Sequence, residues 1–193
     1  MTRVLMTILV VLAVLSGCGS QGALSQAAID QARRQGVAPD LIYVVDLPGY
    51  ELAEQSIGGV GEEGFGAYYV SSGGKQVYLH VDRGSFSDAR CAATPIADAD
   101  PPDAPVRCDH DEVGWYRQGG GRQEYVVVQG DHYIKLSGRV ADLDRAALKA
   151  AVAGARPATG TGTPAPPPPS PVERGDLLTN GDGAPDNGVG PGG

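Results

Sequence analysis

The sequence predicts an α+β domain, an antiparallel sheet of six or seven strands with an N-terminal and a C-terminal helix packed on one face. Three observations carry this reading. Strand-length runs rich in β-branched and aromatic residues follow one another from residue 41 to residue 138, with Gly-rich turns between them. A helix signal stands at each end of the series. One run, QVYLHVD, puts Val77, Leu79 and Val81 on one face and Tyr78, His80 and Asp82 on the other, the pattern of a sheet packed on one side.

The elements follow in order. SQAAIDQARRQG reads as the first helix, with Ser25 as N-cap, Leu24 and Ile29 as a hydrophobic staple and Gly36 just past the end. LIYVVDL (41–47) is a strand signal, and YELAEQSIGG (50–59) is a weaker one. FGAYYVSS and QVYLHVD flank GGK, which predicts a hairpin. EVGWYRQ, QEYVVVQG and HYIKLSG complete the strands, with turns at Gly119–Gly121 and at Gly130-Asp131. In DLDRAALKAAVAGAR, Leu143, Ala147, Leu148, Ala151, Val152 and Ala155 recur at helical spacing. Asp142 is the expected cap, Asp144 and Arg156 suit the helix dipole, and Pro157 is the stop. The domain is therefore expected over residues 25–156. That is enough chain for one core.

The first residues predict export. Arg3 precedes an apolar run, Val4–Leu15, interrupted only by Thr7. A span of the bilayer needs about 20 apolar residues, so the run is too short for one and has the layout of a signal peptide. It exits through Leu15-Ser16-Gly17-Cys18, which resembles the bacterial lipoprotein box. That resemblance implies removal of residues 1–17 and a diacylglyceryl group on Cys18, with further acylation holding the chain to the membrane. Each buried CH₂ contributes about 0.8 kcal/mol, so two or three acyl chains anchor firmly. Residues 18–24 are then the lipidated cysteine and a short tether, and the domain lies at the outer face of the cytoplasmic membrane.

Charge and cysteine content narrow the possibilities. The net charge is −8 and becomes one unit more negative once Arg3 is removed. An acidic balance argues against a nucleic-acid partner and against a polybasic grip on lipid. Three lysines against twelve arginines, beside much Ala and Gly, fit a GC-rich bacterial genome. Cys91 and Cys108 remain after Cys18, and an even pair in an exported protein reads as a disulfide. The enclosed loop, CAATPIADADPPDAPVRC, is Pro-rich and predicts little regular structure. Closing it is worth ~3 kcal/mol on the chain-entropy account. From Pro157 to Gly193 the chain has no aromatic residue and is rich in Pro and Gly. That predicts a disordered tail in which PAPPPPSP favours polyproline II.

Motifs for chemistry are weak. Ser72-Gly73-Gly74-Lys75 matches Ser-x-x-Lys, but it falls in a hairpin turn and its partner motifs are missing. CDHDE (108–112) places His110 between Asp109 and Asp111, and neighbours on an extended chain point to opposite sides. Asp98, Asp100 and Asp103 lack the spacing of a calcium loop. No metal, no cofactor and no catalytic residue is therefore assigned. The aromatic residues are the better lead. Tyr68-Tyr69 and Trp115-Tyr116 must each send one ring to each face of the sheet. Tyr68, Tyr69, Trp115 and Tyr116 are the candidate surface for an apolar ligand or a partner protein. Core packing by the inward rings is the competing account.

With the anchor, DLPGYELAEQSIG, YYVSSGGKQVYLHVDRG and YVVVQGDHYIKLSGRVADLDRAALKAAVAGAR in view, the chain resembles actinobacterial membrane lipoproteins of unknown function over residues 1–157. More distantly, the strand, hairpin and closing helix look like extracytoplasmic domains of anti-sigma and sporulation proteins. That likeness implies a curved sheet with helices on one side. Neither resemblance supplies a catalytic residue. The expected function is a non-enzymatic, lipid-anchored binding module for a cell-envelope protein. A carrier of an apolar ligand or lipid is the first alternative and a hydrolase the second. An apolar pocket lined by the sheet aromatics favours the carrier, and a filled core favours the interaction module.

Overall fold

A computed structural model describes residues 23–161. The expected signal peptide, the expected lipidation site at Cys18 and the tail beyond Thr161 lie outside the described residues.

The fold is α+β with an open, mostly antiparallel sheet, as the sequence predicts. In chain order the elements are β1 (Ala23–Ser25), α1 (Gln26–Arg34), β2 (Tyr43–Val44), β3 (Tyr50–Leu52), β4 (Gly58–Val60), β5 (Gly64–Ser71) and β6 (Gln76–Arg83). Then come α2 (Asp88–Ala93), β7 (Arg107–His110), β8 (Trp115–Gly119), β9 (Arg122–Gln129), β10 (His132–Arg139), α3 (Arg145–Ala153), β11 (Arg156–Pro157) and β12 (Thr159–Thr161). The main sheet runs β3-β5-β6-β10-β9-β8-β7, with β4 also paired to β5, making eight strands. The β6–β10 pairing joins the two halves of the sequence, with Leu79 opposite Leu136 and Val81 opposite Ile134.

The two main helices lie on one face. Ala28, Ile29 and Ala32 of α1 and Leu148, Ala151 and Val152 of α3 share one core with Phe65, Ala67, Tyr69, Val77, Leu79, Val81, Tyr116, Tyr125, Ile134 and Leu136. Alternation in β5, β6 and β10 delivers these side chains inward and leaves Tyr68, Tyr78, His80 and Lys135 on the other face. Ser25 caps α1, its hydroxyl accepting from the Ala28 N–H.

Four expectations need correction. The cap of α3 is Asp144, which accepts from the Ala147 N–H, and not Asp142. The run 41–47 keeps only Tyr43–Val44 as strand, because Leu41, Ile42, Val45 and Leu47 are buried core residues that the strand signal cannot separate from a ladder. Residues 50–59 break into β3, a single 3₁₀ turn at Glu54–Ser56 and β4. The domain is wider than 25–156. Ala23–Ser25 pairs in parallel with Thr159–Thr161, and Arg156–Pro157 pairs with Tyr43–Val44, so Leu24 and Pro157 belong to the fold and not to the tether or the tail.

The disulfide joins Cys91 of α2 to Cys108 of β7, with Cα atoms 5.9 Å apart, inside the range a disulfide spans. Of its loop, only residues 91–93 at the end of α2 and 107–108 at the start of β7 are regular, and 94–106 holds neither helix nor strand, as the prolines predict. The loop lies on the face of β7–β9 opposite α1 and α3 and is held there by a buried arginine. Arg117 of β8 donates through Nε to the Cys91 carbonyl (2.8 Å), through Nη2 to the Thr94 carbonyl and through Nη1 to Glu124 (2.5 Å). Both side chains are about 1 % exposed. Burial pulls the Arg117 pKa down, and the Glu124 carboxylate beside it works against that pull. Among the described residues no helix is long and apolar enough to cross a membrane.

Candidate functional site

The loop covers only one end of the outer face. The strands β5, β6 and β10 are left with a row of rings in view. Tyr68 sits opposite Tyr78 across the β5–β6 pair, and their ring centroids are 4.7 Å apart. Tyr78 meets His80 at 6.3 Å, and His80 meets Tyr133 of β10 at 5.7 Å. Tyr68 is one of two large apolar side chains exposed among the described residues, at 38 %.

Glycine sets the posture of this row. A Cβ at Gly66 would run into the Tyr78 hydroxyl, so the Tyr78 ring lies across the bare backbone of β5. Burial raises the pKa of Tyr78, and Tyr68 adds to the rise. Burial, then Asp82, raise that of Tyr133. Both phenols stay neutral at physiological pH.

Polar side chains floor the row. Lys135 lies opposite His80, and Ser137 opposite Tyr78 on one side and Glu124 on the other. The Lys135 ammonium stands 3.7 Å from Glu124 Oε1. Asp82 Oδ2 is 3.8 Å from His80 Nε2, too long for a hydrogen bond, and that buried nitrogen has no partner. Burial pushes the His80 pKa down to about 4, helped by Lys135 and opposed by Asp82. The imidazole is therefore neutral at physiological pH.

The four sequence-selected aromatics divide. Tyr68 is in the row. Tyr69 is 3 % exposed in the core, and its hydroxyl accepts from the Val45 N–H at 2.9 Å. Tyr116 is also buried, donating to Gln123 at 2.9 Å and lying under the Arg145 guanidinium. Tyr69 and Tyr116 are thus core residues and not part of a surface. Trp115 lies on the outer face, but residues flanking the disulfide loop have claimed it. It stacks on His110 (4.2 Å), packs on Phe86 and donates to Asp88 at 2.6 Å. Tyr78, His80 and Tyr133, which the candidate set omits, complete the row. The alternation of QVYLHVD already placed Tyr78 and His80 on the polar side. The partnering of β6 with β10, which brings Tyr133 beside them, has no local signal.

The other polar motifs resolve into structural contacts. Asp109 bonds Arg145, and Asp111 accepts from Tyr125, Val113 and Gly114 and pairs with Lys149. Burial works against the Asp111 charge, yet these partners hold its pKa well below the usual carboxylate range. His110 turns the other way, onto Trp115. Ser72–Lys75 is a turn, with Gly74 at φ 75°. Among the described residues no three His, Cys, Asp or Glu side chains gather as a metal would need.

No family model, curated protein or solved structure matches the chain.

Proposed function

We propose that this protein is a lipid-anchored binding module at the outer face of the cytoplasmic membrane. Its contact surface is the uncovered ring row Tyr68–Tyr78–His80–Tyr133. The observation that carries the reading is the contrast between the two faces. On the helix side the tyrosines are spent on the core: Tyr69, Tyr116 and Tyr125 are buried among α1, α3 and their neighbours. On the other side a contiguous aromatic row, with neutral phenols and a neutral imidazole, faces outward beyond the edge of the disulfide loop. Tyrosines that keep an apolar body and a polar tip are well suited to protein contacts. A filled helix face supports an interaction module over a carrier of an apolar ligand. The lipobox at Leu15–Cys18 supports the anchor.

Two readouts test this. Cys18→Ala is expected to release the chain from the membrane fraction, and unchanged attachment contradicts the anchor. Native mass spectrometry of the protein from its own host is expected to give a bare mass and a specific second protein. A discrete small mass that leaves on denaturation contradicts the interaction reading and favours the carrier.

A further inference from the structure

Strands β8, β9 and β10 carry an excess of positive charge on the outer face. Alternation places Arg117, Arg122, Lys135 and Arg139 there, and Glu124 is the one carboxylate these strands supply to that face. One Glu124 oxygen accepts from Arg117 at 2.5 Å. The other is buried, has no hydrogen-bond partner and lies 3.7 Å from the Lys135 ammonium, too far for a hydrogen bond. Arg122 stands directly opposite Arg139 across the β9–β10 ladder, a like-charge pairing that costs stability. Asp98 of the disulfide loop reaches Arg122 only at 4.0 Å, and the buried Arg122 Nε has no partner. Arg139 is exposed, and among the described residues its side chain has no ion pair or hydrogen bond. Four cations thus face two carboxylates, in a chain whose net charge is −8.

This strip borders the ring row. Lys135 lies opposite His80, and Ser137, between Lys135 and Arg139 on the same face, lies opposite Tyr78. We propose that the strip is an anion subsite of the contact surface, and that the partner places an Asp or Glu carboxylate between Lys135 and Arg139, above Ser137. The inference rests on the reading of the ring row as a protein contact surface and names the chemistry of that partner, an acidic segment. Lys135 and Arg139 are four residues apart on one strand, about 13 Å between Cα atoms, a gap that two long cationic side chains close on one carboxylate. Lys135 keeps a fifth of its side chain exposed, and the Arg139 guanidinium offers the planar fork that a carboxylate accepts. A singly charged carboxylate suits the place better than a phosphate dianion, because Glu124 stays close and Asp82 lies just past His80. The rest of the acidic domain repels such a segment, so the strip fixes where on the surface it lands.

An acetylated and amidated glutamate tetrapeptide, titrated at low salt into the full chain in detergent, tests this. The glutamine tetrapeptide and inorganic phosphate are the comparisons, and NMR shifts are read at Lys135, Ser137 and Arg139. Saturable shifts are expected with the glutamate peptide and none with the glutamine peptide. Binding should be at least about fivefold weaker in Arg139→Gln and in Lys135→Gln. Arg139→Gln removes no side-chain contact among the described residues, so its urea midpoint should match the parent, which separates loss of binding from loss of fold. Arg33→Gln, at an exposed position of α1, should bind as the parent does. No saturable shift overturns the proposal, as does a shift that Arg139→Gln and Lys135→Gln leave unchanged or that Arg33→Gln also removes. Phosphate binding as tightly as the glutamate peptide overturns it too, because the strip then takes any small anion. Failure of the ring row itself shows separately, as the absence of a partner adduct from a crosslinking residue at position 68.

Discussion

Tyr68 and Tyr69 are adjacent in sequence and lie on opposite sides of the sheet, one 38 % exposed in the ring row and the other 3 % exposed in the core. Their substitutions should separate cleanly. Tyr69→Phe leaves the buried Val45 N–H without an acceptor and is expected to cost about 1–3 kcal/mol in urea unfolding. Tyr68→Ala loses one cross-strand ring contact and is expected to cost less than about 1 kcal/mol. Equal losses would contradict the division of the two faces.

Arg117 and Glu124 form a buried pair that ties the disulfide loop to the sheet. Arg117→Met leaves the buried Glu124 without its hydrogen-bonded partner and with only Lys135, 3.7 Å away, and should cost about 3–5 kcal/mol. The Arg117→Met, Glu124→Leu double variant removes both charges and should recover a large part of that loss. A double variant no more stable than Arg117→Met would contradict the assignment of the cost to a buried carboxylate that has lost its arginine.

Reduction of Cys91–Cys108, or Cys91→Ala with Cys108→Ala, opens a loop whose ends are 17 positions apart. The expected loss is about 3 kcal/mol in the denaturation midpoint converted to free energy. The Trp115 fluorescence should change with it, since Trp115 rests on Phe86 and Asp88 of the same excursion. An unaltered Trp115 signal would contradict a coupling between the disulfide and the Phe86–Asp88 segment that holds that ring.

His80 gives a pH dependence with a fixed sign. Its pKa is about 4 in the folded protein and near 6.5 when unfolded, so between these values the unfolded chain binds more protons. Stability is fully present above about pH 6.5 and falls as the pH drops towards 4, by on the order of 3 kcal/mol in total. His80→Gln should flatten the pH profile between 4 and 6.5. A slope that survives this substitution would place the proton uptake elsewhere.

Local pattern made the main elements legible, and long-range pairing accounts for what it missed. The alternation of Val77, Leu79 and Val81 against Tyr78, His80 and Asp82 is periodic, and so it reads directly from the sequence. Ser25 was legible as a cap because its hydroxyl serves the next turn. Nothing local distinguishes Asp142 from Asp144 as the cap of α3, since each is an acid just before an apolar stripe. The pairings β1–β12 and β2–β11 use two or three residues each and join opposite ends of the domain, too short to leave a pattern. The same holds for the site. Tyr68 was visible as one ring of a pair, whereas its row depends on the bare Gly66 backbone and on β10 lying beside β6.

The most direct test of the proposed binding surface is photo-crosslinking in membranes of the host, with a crosslinking residue replacing Tyr68 or Val140. The two side chains are equally exposed, 38 % and 39 %, but only Tyr68 lies in the ring row. The account predicts a discrete adduct from position 68 and none of that mass from position 140. The same adduct from both positions, or none from position 68, would contradict it.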